Sequence, residues 1–358
     1  MKWNSEQMRN QLTASIDWLS FTVFDLETVD DVISFLGYSP QEFSSLPKGG
    51  MGYKSMMKLE GYPVSILYDG KEDMGIHVTI SGKAIPEVVR SYRASQAIDT
   101  PFGQGFSVSF DSSFMIDFLR AVKEIGQVSR IDLAIDDFGC KYFSTDDLVQ
   151  ALTDGRCVSK FRTWRNVCEK TMTGEKTGHT VYMGSRTSEI FLRVYDKRLE
   201  QRKQGMDGQT PIDTEWIRWE FELKGDRANQ VMDALISRDS IGSVCFGLLS
   251  NYFRIINLDN NNRSRCSVDP LWEKFIDRIR PLKLYVPDSP KTLEDKKQWV
   301  LTQVMPTLAG IVIADSGSLE FITDNLVHSA ERMGKDMIDL VQRENPDWRT
   351  YYDAARCV

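Results

Sequence analysis

One tyrosine of this chain, Tyr195, lies in a strongly cationic setting that suits chemistry on a phosphodiester. Two runs of alternating residues, His179–Met183 and Ile190–Lys197, flank a short Gly-Ser connection and predict the two strands of a β-hairpin. The two-residue period of a strand then places Arg193 and Lys197 on the same face as Tyr195. A phenol between two cations could act as a nucleophile, although half-buried packing is the commoner role of a tyrosine on a strand.

Charge is distributed unevenly along the sequence. Residues 156–203 contain twelve Lys and Arg but only five Asp and Glu, whereas the whole chain has a net charge of −7. A basic island in an acidic protein favours a localised polyanion site, and a solvated basic face is the alternative. Phe161 and Trp164 alternate with cations there, which is typical of single-strand stacking surfaces and equally of an amphipathic edge strand. The candidate DNA-binding residues are Lys160, Arg162, Arg165, Arg186, Arg198, Arg202 and Lys203.

Three further segments have strand periodicity and place potential metal ligands on one face. The segments are VSRIDLAIDD at residues 128–137, EWIRWEFELK at 215–224 and MGIHVTIS at 74–81, and the candidate ligands are Asp132, Asp136, Glu220, Glu222 and His77. Carboxylates concentrated on strand faces need compensation by solvent, cations or metal. If the strands converge, the set suits a hard divalent cation such as Mg²⁺ or Mn²⁺. A network of surface ion pairs, with a structural role for His77, explains the same pattern.

The ordered segments RIDLAIDD, TVYMGSRTSEIFLRVYDKRLEQR and WIRWEFELK resemble the catalytic core of the Rep-trans replication initiation factor family. This family includes rolling-circle plasmid initiators and the relaxases of some integrative conjugative elements. The resemblance covers roughly residues 16–283 and is most specific at GSR-x-S-x(4)-R-x-Y-D/N-K. It implies that Tyr195 is the nicking nucleophile. It also implies acidic site positions at Asp132, Asp136, Glu220 and Glu222, whereas His77 stands where some plasmid initiators have an acidic residue, so the ligand set stays open.

The resemblance implies metal-dependent nicking and joining of single-stranded and supercoiled origin DNA. Tyr195 would form a 5′-phosphotyrosyl link and free a 3′-hydroxyl for a host polymerase, followed by a host helicase. Arg193, Lys197 and the metal would stabilise the developing charge. No G-x-x-x-x-G-K-[ST] motif is present, which agrees with resealing that needs no nucleotide. The N-terminal sequence also resembles replication proteins of filamentous phages. A conjugative relaxase and a non-catalytic origin-binding regulator are the alternatives.

Two strand-helix units repeat the same order and predict an α+β fold. Residues 16–37 and 131–155 each begin Ile-Asp, and Thr28-x-x-Asp31 and Ser144-x-x-Asp147 would cap the helices. Duplicated βαβ units suit a ferredoxin-like sheet and resemble an HUH-like nuclease core, in which the site lies on an antiparallel sheet face. Asp17 occupies the place in the first unit that Asp132 has in the second, and we expect it to be structural. Residues 112–125 have the period of a helix that covers the sheet.

Prolines and polar residues near 285–290 predict a boundary between a catalytic domain, residues 1–284, and a helical C-terminal region, residues 291–358. The sequence has no run of about eighteen apolar residues and no basic head before an apolar stretch, so we expect neither a membrane span nor a secretory signal. Six cysteines without a C-x-x-C pair predict reduced thiols and a cytoplasmic protein. The sequence leaves the oligomeric state open.

Overall fold

The computed structural model describes residues 12–96, 112–203, 214–276, 293–330, 333, 335–345 and 347–349. The chain divides into two compact units, Met1–Tyr285 and Val286–Val358. The predicted boundary at residues 285–290 lies outside the described residues.

Among the described residues, ten strands form one sheet in the order β2-β3-β4-β5-β1-β6-β11-β10-β9-β8, and β7 pairs with β12 in a small second sheet. The strands are β1 (Leu12–Val23), β2 (Phe43–Leu46), β3 (Ser55–Leu59), β4 (Val64–Tyr68), β5 (Ile76–Ser81), β6 (Gly126–Phe138), β7 (Cys157–Ser159), β8 (Trp164–Lys170), β9 (Lys176–Met183), β10 (Ile190–Asp196), β11 (Trp216–Lys224) and β12 (Phe253–Ile255). Neighbouring strands pair antiparallel. The predicted antiparallel α+β fold is therefore confirmed.

The first unit also contains α-helices, several of which pack on the apolar face of this sheet. They are α1 (Val29–Phe35), α2 (Ala84–Gln96), α3 (Ser112–Ile125), α4 (Thr145–Thr153), α5 (Lys197–Lys203), α6 (Gly225–Arg238), α7 (Ile241–Tyr252) and α8 (Pro270–Ile276). Helices α3, α6 and α7 pack against β6, where Ile131, Leu133 and Ile135 are buried. This packing leaves the other face of the central strands for polar side chains, because successive residues of a strand point to opposite faces.

The second unit is helical, as the sequence predicts. Its described helices are α9 (Leu293–Trp299), α10 (Met305–Ala314), α11 (Glu320–Ala330) and α12 (Lys335–Glu344). Pro306 lies in the first turn of α10, where its missing N–H has no helical partner to lose. No described helix of either unit is long and apolar enough to cross a bilayer.

The two predicted strand-helix repeats are β1–α1 and β6–α4. Both capping boxes form, with the Thr28 hydroxyl accepting from the Asp31 N–H and the Ser144 hydroxyl from the Asp147 N–H. Strands β1 and β6 are adjacent, and Asp17 lies at a register shift between two paired residues of β1. A bulge of this kind turns a side chain away from the regular alternation, and the Asp17 carboxylate reaches across to β11.

One predicted strand end differs from the structure. The sequence pattern extends the second hairpin strand to Lys197, but β10 ends at Asp196 and Lys197 begins α5. The Asp196 carboxylate accepts the N–H of Leu199 at 3.1 Å, so Asp196 acts as the N-cap that starts the helix.

Candidate active site

The site is assembled on the polar face of the three central strands β6, β11 and β10. Across these strands, Asp136 pairs with Arg218 and Arg218 with Tyr195, while Glu220 pairs with Arg193 in the next row. In a third row Asp132 pairs with Glu222. The antiparallel register therefore brings the tyrosine and most of the predicted acidic residues into one cluster.

Tyr195 is held at the centre of this cluster by a carboxylate and an ammonium group. Its side chain is 6% exposed, and its hydroxyl donates to Glu220 Oε2 at 2.7 Å. Lys197 Nζ donates to the same phenolic oxygen at 3.3 Å, so the helical start at Lys197 still delivers its charge to Tyr195. Burial and the Glu220 charge raise the pKa of Tyr195 far above its ordinary value. The phenol is neutral here, and Glu220 is the group in position to remove its proton.

Arg193 lies between two buried carboxylates. Its Nη2 contacts Glu220 Oε1 directly and lies 3.6 Å from Asp132 Oδ2. Its buried Nε has no hydrogen-bond partner among the described residues. Arg193 thus neutralises the acidic pair, and part of its side chain, 29%, stays exposed.

Asp132 is the carboxylate whose protonation the fold perturbs most clearly. It is 1% exposed and accepts from Arg130 Nε and Nη2 at 2.9 and 2.6 Å. Burial raises its pKa to about 7, with Arg130 acting in the opposite direction and Glu220 adding to the rise. Two desolvated carboxylates face each other at this point, and such a pair attracts a proton or a cation.

Glu222 lies at the more exposed edge of the cluster. Arg130 Nη2 is 3.0 Å from its Oε2, and Lys224 Nζ is 2.5 Å from its Oε1. Burial acts to raise the pKa of Glu222, but Lys224 and Arg130 outweigh it and hold the pKa below its ordinary value. Glu222 is therefore a charged carboxylate with two cationic partners.

A second ion network, centred on Arg218, lies directly beside Tyr195. Arg218 donates from Nε and Nη2 to Asp136 at 2.7 and 2.9 Å and from Nη1 to Asp17 at 2.6 Å. Trp216 Nε1 donates to Asp136 at 2.6 Å. Asp136 therefore accepts three side-chain hydrogen bonds, and Asp17 pairs with the same arginine.

His77 lies on the same polar face but apart from the acidic cluster. His77 on β5 pairs with Thr22 on β1, and Thr22 pairs in turn with Gln127 on β6. Asp132 pairs with a different residue of β1, Trp18, further along the strand. Two strand spacings of about 4.8 Å separate β5 from β6. His77 instead contacts the Thr22 hydroxyl at 3.1 Å and stacks against Tyr53, and burial lowers its pKa.

The five predicted metal ligands are therefore not brought together. Within the described ranges, no three His, Cys, Asp or Glu side chains are arranged to hold a metal ion. The inserted strand β1 separates His77 from the others, and Arg218 occupies Asp136. Asp132, Glu220 and Glu222 do lie near one another, with Arg130 and Arg193 between them.

Four of the seven predicted DNA-binding residues fall into two groups. Arg165 and Arg186 lie on the Tyr195 side, where their guanidinium groups are 5.1 and 5.6 Å from the Tyr182 ring centre. Arg198 and Arg202 line a cavity of about 340 Å³ on the helix-covered side, together with His179 and other residues.

The remaining members of the predicted set are spread around the outer strands. Lys160 donates to Asn251 at 2.7 Å, Lys203 pairs with Glu169, and Arg162 is exposed. The predicted aromatic surface also divides, because Trp164 pairs with Met183 on the apolar face and Phe161 packs against Tyr252.

Sequence reasoning did not find the arginines that neutralise the site. Arg130 and Arg218 each lie on a strand face that the sequence marks as charged, and that alternation was the available signal. Their partners depend on strand register, which is a tertiary property.

The tyrosine and the acidic residues of β6, β10 and β11 all lie in a region that matches a known protein family. Residues 126–327 match the replication initiation factor family, Rep_trans, and the chain belongs to this family of rolling-circle initiators and relaxases. The chain is similar to the putative DNA relaxase NicK of Bacillus subtilis (strain 168), with 24% identity over an alignment of 355 residues that covers 97% of this chain and 95% of NicK. It is also similar to the rolling-circle replication initiator protein from Geobacillus stearothermophilus. That comparison has 29% identity, a TM-score of 0.59, and coverage of 77% of this chain and 99% of the other.

Proposed function

We propose that this protein initiates rolling-circle DNA replication by nicking one strand with Tyr195 as the nucleophile. The contact that supports this most directly is the 2.7 Å hydrogen bond from the Tyr195 hydroxyl to Glu220. It joins a nucleophile to a base, which is the arrangement that activates a hydroxyl of high pKa. Membership of an initiator and relaxase family agrees with this role.

The reaction is a transesterification. As the Tyr195 oxygen bonds to phosphorus, its proton passes to Glu220 Oε2 and the bond from phosphorus to the 3′ oxygen breaks. The leaving oxygen takes up one proton and becomes a 3′-hydroxyl, while the 5′ phosphate stays on Tyr195. A returning 3′-hydroxyl reverses these steps and reseals the strand, since the phosphotyrosine keeps the energy of the original ester.

Two cations are placed to stabilise the charge that develops. Lys197 Nζ, at 3.3 Å from the phenolic oxygen, stabilises negative charge on the nucleophile. The guanidinium of Arg193, whose side chain is 29% exposed, supplies a second positive charge for a phosphate oxygen. Lys197 also pairs with Glu200 one helical turn away, which holds its ammonium group beside Tyr195.

A divalent ion, Mg²⁺ or Mn²⁺, suits part of this site. Asp132 and Glu220 are both buried, supply only oxygen donors and already attract the guanidinium of Arg193 between them. These two carboxylates would hold the ion, and His77 would not. When bound, the ion would withdraw electron density from the scissile phosphate.

The substrate would be single-stranded or supercoiled origin DNA in a bacterial cytoplasm. The 3′-hydroxyl would prime a host polymerase and a host helicase would open the duplex ahead of it. Synthesis of a filamentous phage genome is one setting for this reaction. Conjugative transfer is the second candidate, because the chain aligns with NicK over nearly its whole length and the chemistry would be the same.

The proposal is tested with end-labelled single strands that tile the DNA flanking the gene. Wild type, Tyr195→Phe and the matched control Tyr182→Phe are incubated with Mn²⁺ or chelator and resolved on denaturing gels. We expect nicking by wild type and Tyr182→Phe with Mn²⁺, and DNA binding without nicking by Tyr195→Phe. Nicking by Tyr195→Phe at the wild-type rate would exclude Tyr195. Binding without nicking by any form would favour the origin-binding regulator.

A further inference from the structure

An aromatic side chain, Tyr182, lies immediately outside the nucleophile on the same face of the sheet. Strand register pairs Tyr182 with Arg193 on one side and Arg165 on the other. Tyr195 pairs with Thr180, two residues before Tyr182 on β9. Diagonal neighbours of this kind have Cα atoms about 7–8 Å apart, which is within the reach of a single nucleotide.

The Tyr182 ring packs against a buried aromatic ring and is itself partly exposed. It stacks on Phe191 with ring centres 5.7 Å apart and an interplanar angle of 21°. Phe191 is buried, at 2% exposure, whereas Tyr182 is partly exposed. Phe191 therefore fixes the Tyr182 ring, and a fixed ring loses little freedom when a base stacks on it.

Two guanidinium groups lie near this ring. Arg165 extends from the edge strand β8 and Arg186 from the β9–β10 turn, at 5.1 and 5.6 Å from the Tyr182 ring centre. Such contacts are weak at exposed sites, so a base can replace them while the arginines turn to phosphates. An aromatic ring between arginines, beside a reactive tyrosine, has the composition of a single-strand binding subsite.

We propose that Tyr182, backed by Phe191, stacks the base next to the scissile phosphate and that Arg165 and Arg186 bind the adjoining phosphates. This inference rests on the proposed function, because it assigns a substrate contact to the same site. It makes Tyr182 a positioning residue that sets which nucleotide bond reaches Tyr195.

Binding is measured in the Tyr195→Phe background, where no strand is cut. Single-stranded origin oligonucleotides with 2-aminopurine at successive positions report stacking by fluorescence quenching, and anisotropy gives Kd. We expect quenching at one position beside the nick. Tyr182→Ala should abolish this quenching and raise Kd by about 5-fold to 150-fold, whereas Tyr182→Phe should keep both.

Two controls separate stacking from a structural role. Trp164→Ala removes an exposed aromatic from the same sheet edge on the opposite face, and it should leave quenching at that position unchanged. An abasic site at the quenched position should weaken DNA binding by the protein that retains Tyr182. It should not further weaken DNA binding by the Tyr182→Ala variant. Circular dichroism and thermal unfolding confirm that each variant is folded.

Equal quenching and Kd for Tyr182→Ala and Tyr182→Phe would overturn the inference. An equal loss by Tyr182→Ala on intact and abasic DNA would do the same, because a stacking contact requires the base. Failure of the nicking proposal looks different: wild type would form no covalent product although the position-specific quenching persisted.

Discussion

Replacing Arg218 with Met should lower the free energy of unfolding by about 3–5 kcal/mol, because it leaves the buried carboxylate of Asp136 without a cation. Arg218 is 6% exposed and makes two hydrogen bonds to Asp136 and one to Asp17. Asp136 is 4% exposed, and after the substitution only Trp216 Nε1 would still donate to it from a side chain described here. Domains are typically stable by about 5–15 kcal/mol, so the loss is a large fraction of the total.

Urea unfolding at pH 7, followed by tryptophan fluorescence and circular dichroism, measures this loss. The matched control is Arg120→Met, since Arg120 pairs with Asp117 at 2.7 Å but both side chains are nearly half exposed. An exposed pair of this kind contributes about 0–1 kcal/mol. Adding Asp136→Asn to Arg218→Met should restore part of the stability, because the uncompensated charge is removed.

A loss of unfolding free energy in Arg218→Met no larger than that in Arg120→Met would contradict the assigned role of Arg218. The same series tests the role of Asp136, which the sequence placed among the metal ligands. If the role of Asp136 is to pair with Arg218, Asp136→Asn lowers stability and leaves the Mn²⁺ concentration for half-maximal nicking unchanged. A large shift in that concentration would instead support Asp136 as a metal ligand.

Three further outcomes are expected. Glu220→Gln keeps the shape of the side chain but cannot take the Tyr195 proton, so single-turnover nicking should slow by about 10²–10⁴ with DNA affinity preserved; a rate within threefold of wild type would exclude Glu220 as the base. Lys197→Met should slow nicking by about 10², with partial rescue by Lys197→Arg, and an unchanged rate would contradict charge stabilisation at the phenolic oxygen. Burial lowers the pKa of His77 and of His179 below the ordinary 6.5, so the unfolded chain binds more protons at low pH and stability present above pH 6.5 is lost as pH falls through the folded pKa values. The raised pKa of Asp132 changes stability with pH in the opposite direction, so the histidine contribution is isolated by comparison with a His77→Gln, His179→Gln variant. Urea midpoints of both proteins are measured at pH 7 and pH 5, and an equal change in midpoint for the two would contradict the role of the histidines.

The alternation of residues along single strands predicted which side chains lie on the polar face of the sheet. It placed Asp132, Glu220 and Tyr195 on polar strand faces, and the capped helices and the antiparallel α+β fold followed from equally local patterns. A period of two depends only on the strand itself, so it can be read without knowledge of the neighbours.

Strand order and register could not be read in the same way. His77 lies on the predicted kind of strand, but β1 intervenes between β5 and β6 and keeps it from the carboxylates. The pairing of Tyr182 with Arg193 likewise depends on the hairpin register. Lys197 illustrates a competing local effect, because the Asp196 cap ends the strand one residue before the alternation does.

The central claim is tested most directly by mapping the covalent bond between protein and DNA. Wild-type protein is incubated with cleavable single-stranded DNA and Mn²⁺, the adduct is digested with protease and nuclease, and the nucleotide-bearing peptide is sequenced by mass spectrometry. We predict one modified residue, Tyr195, linked to a 5′ phosphate. Attachment to Tyr182 or to any other residue, or a 3′ phosphate linkage, would contradict the account.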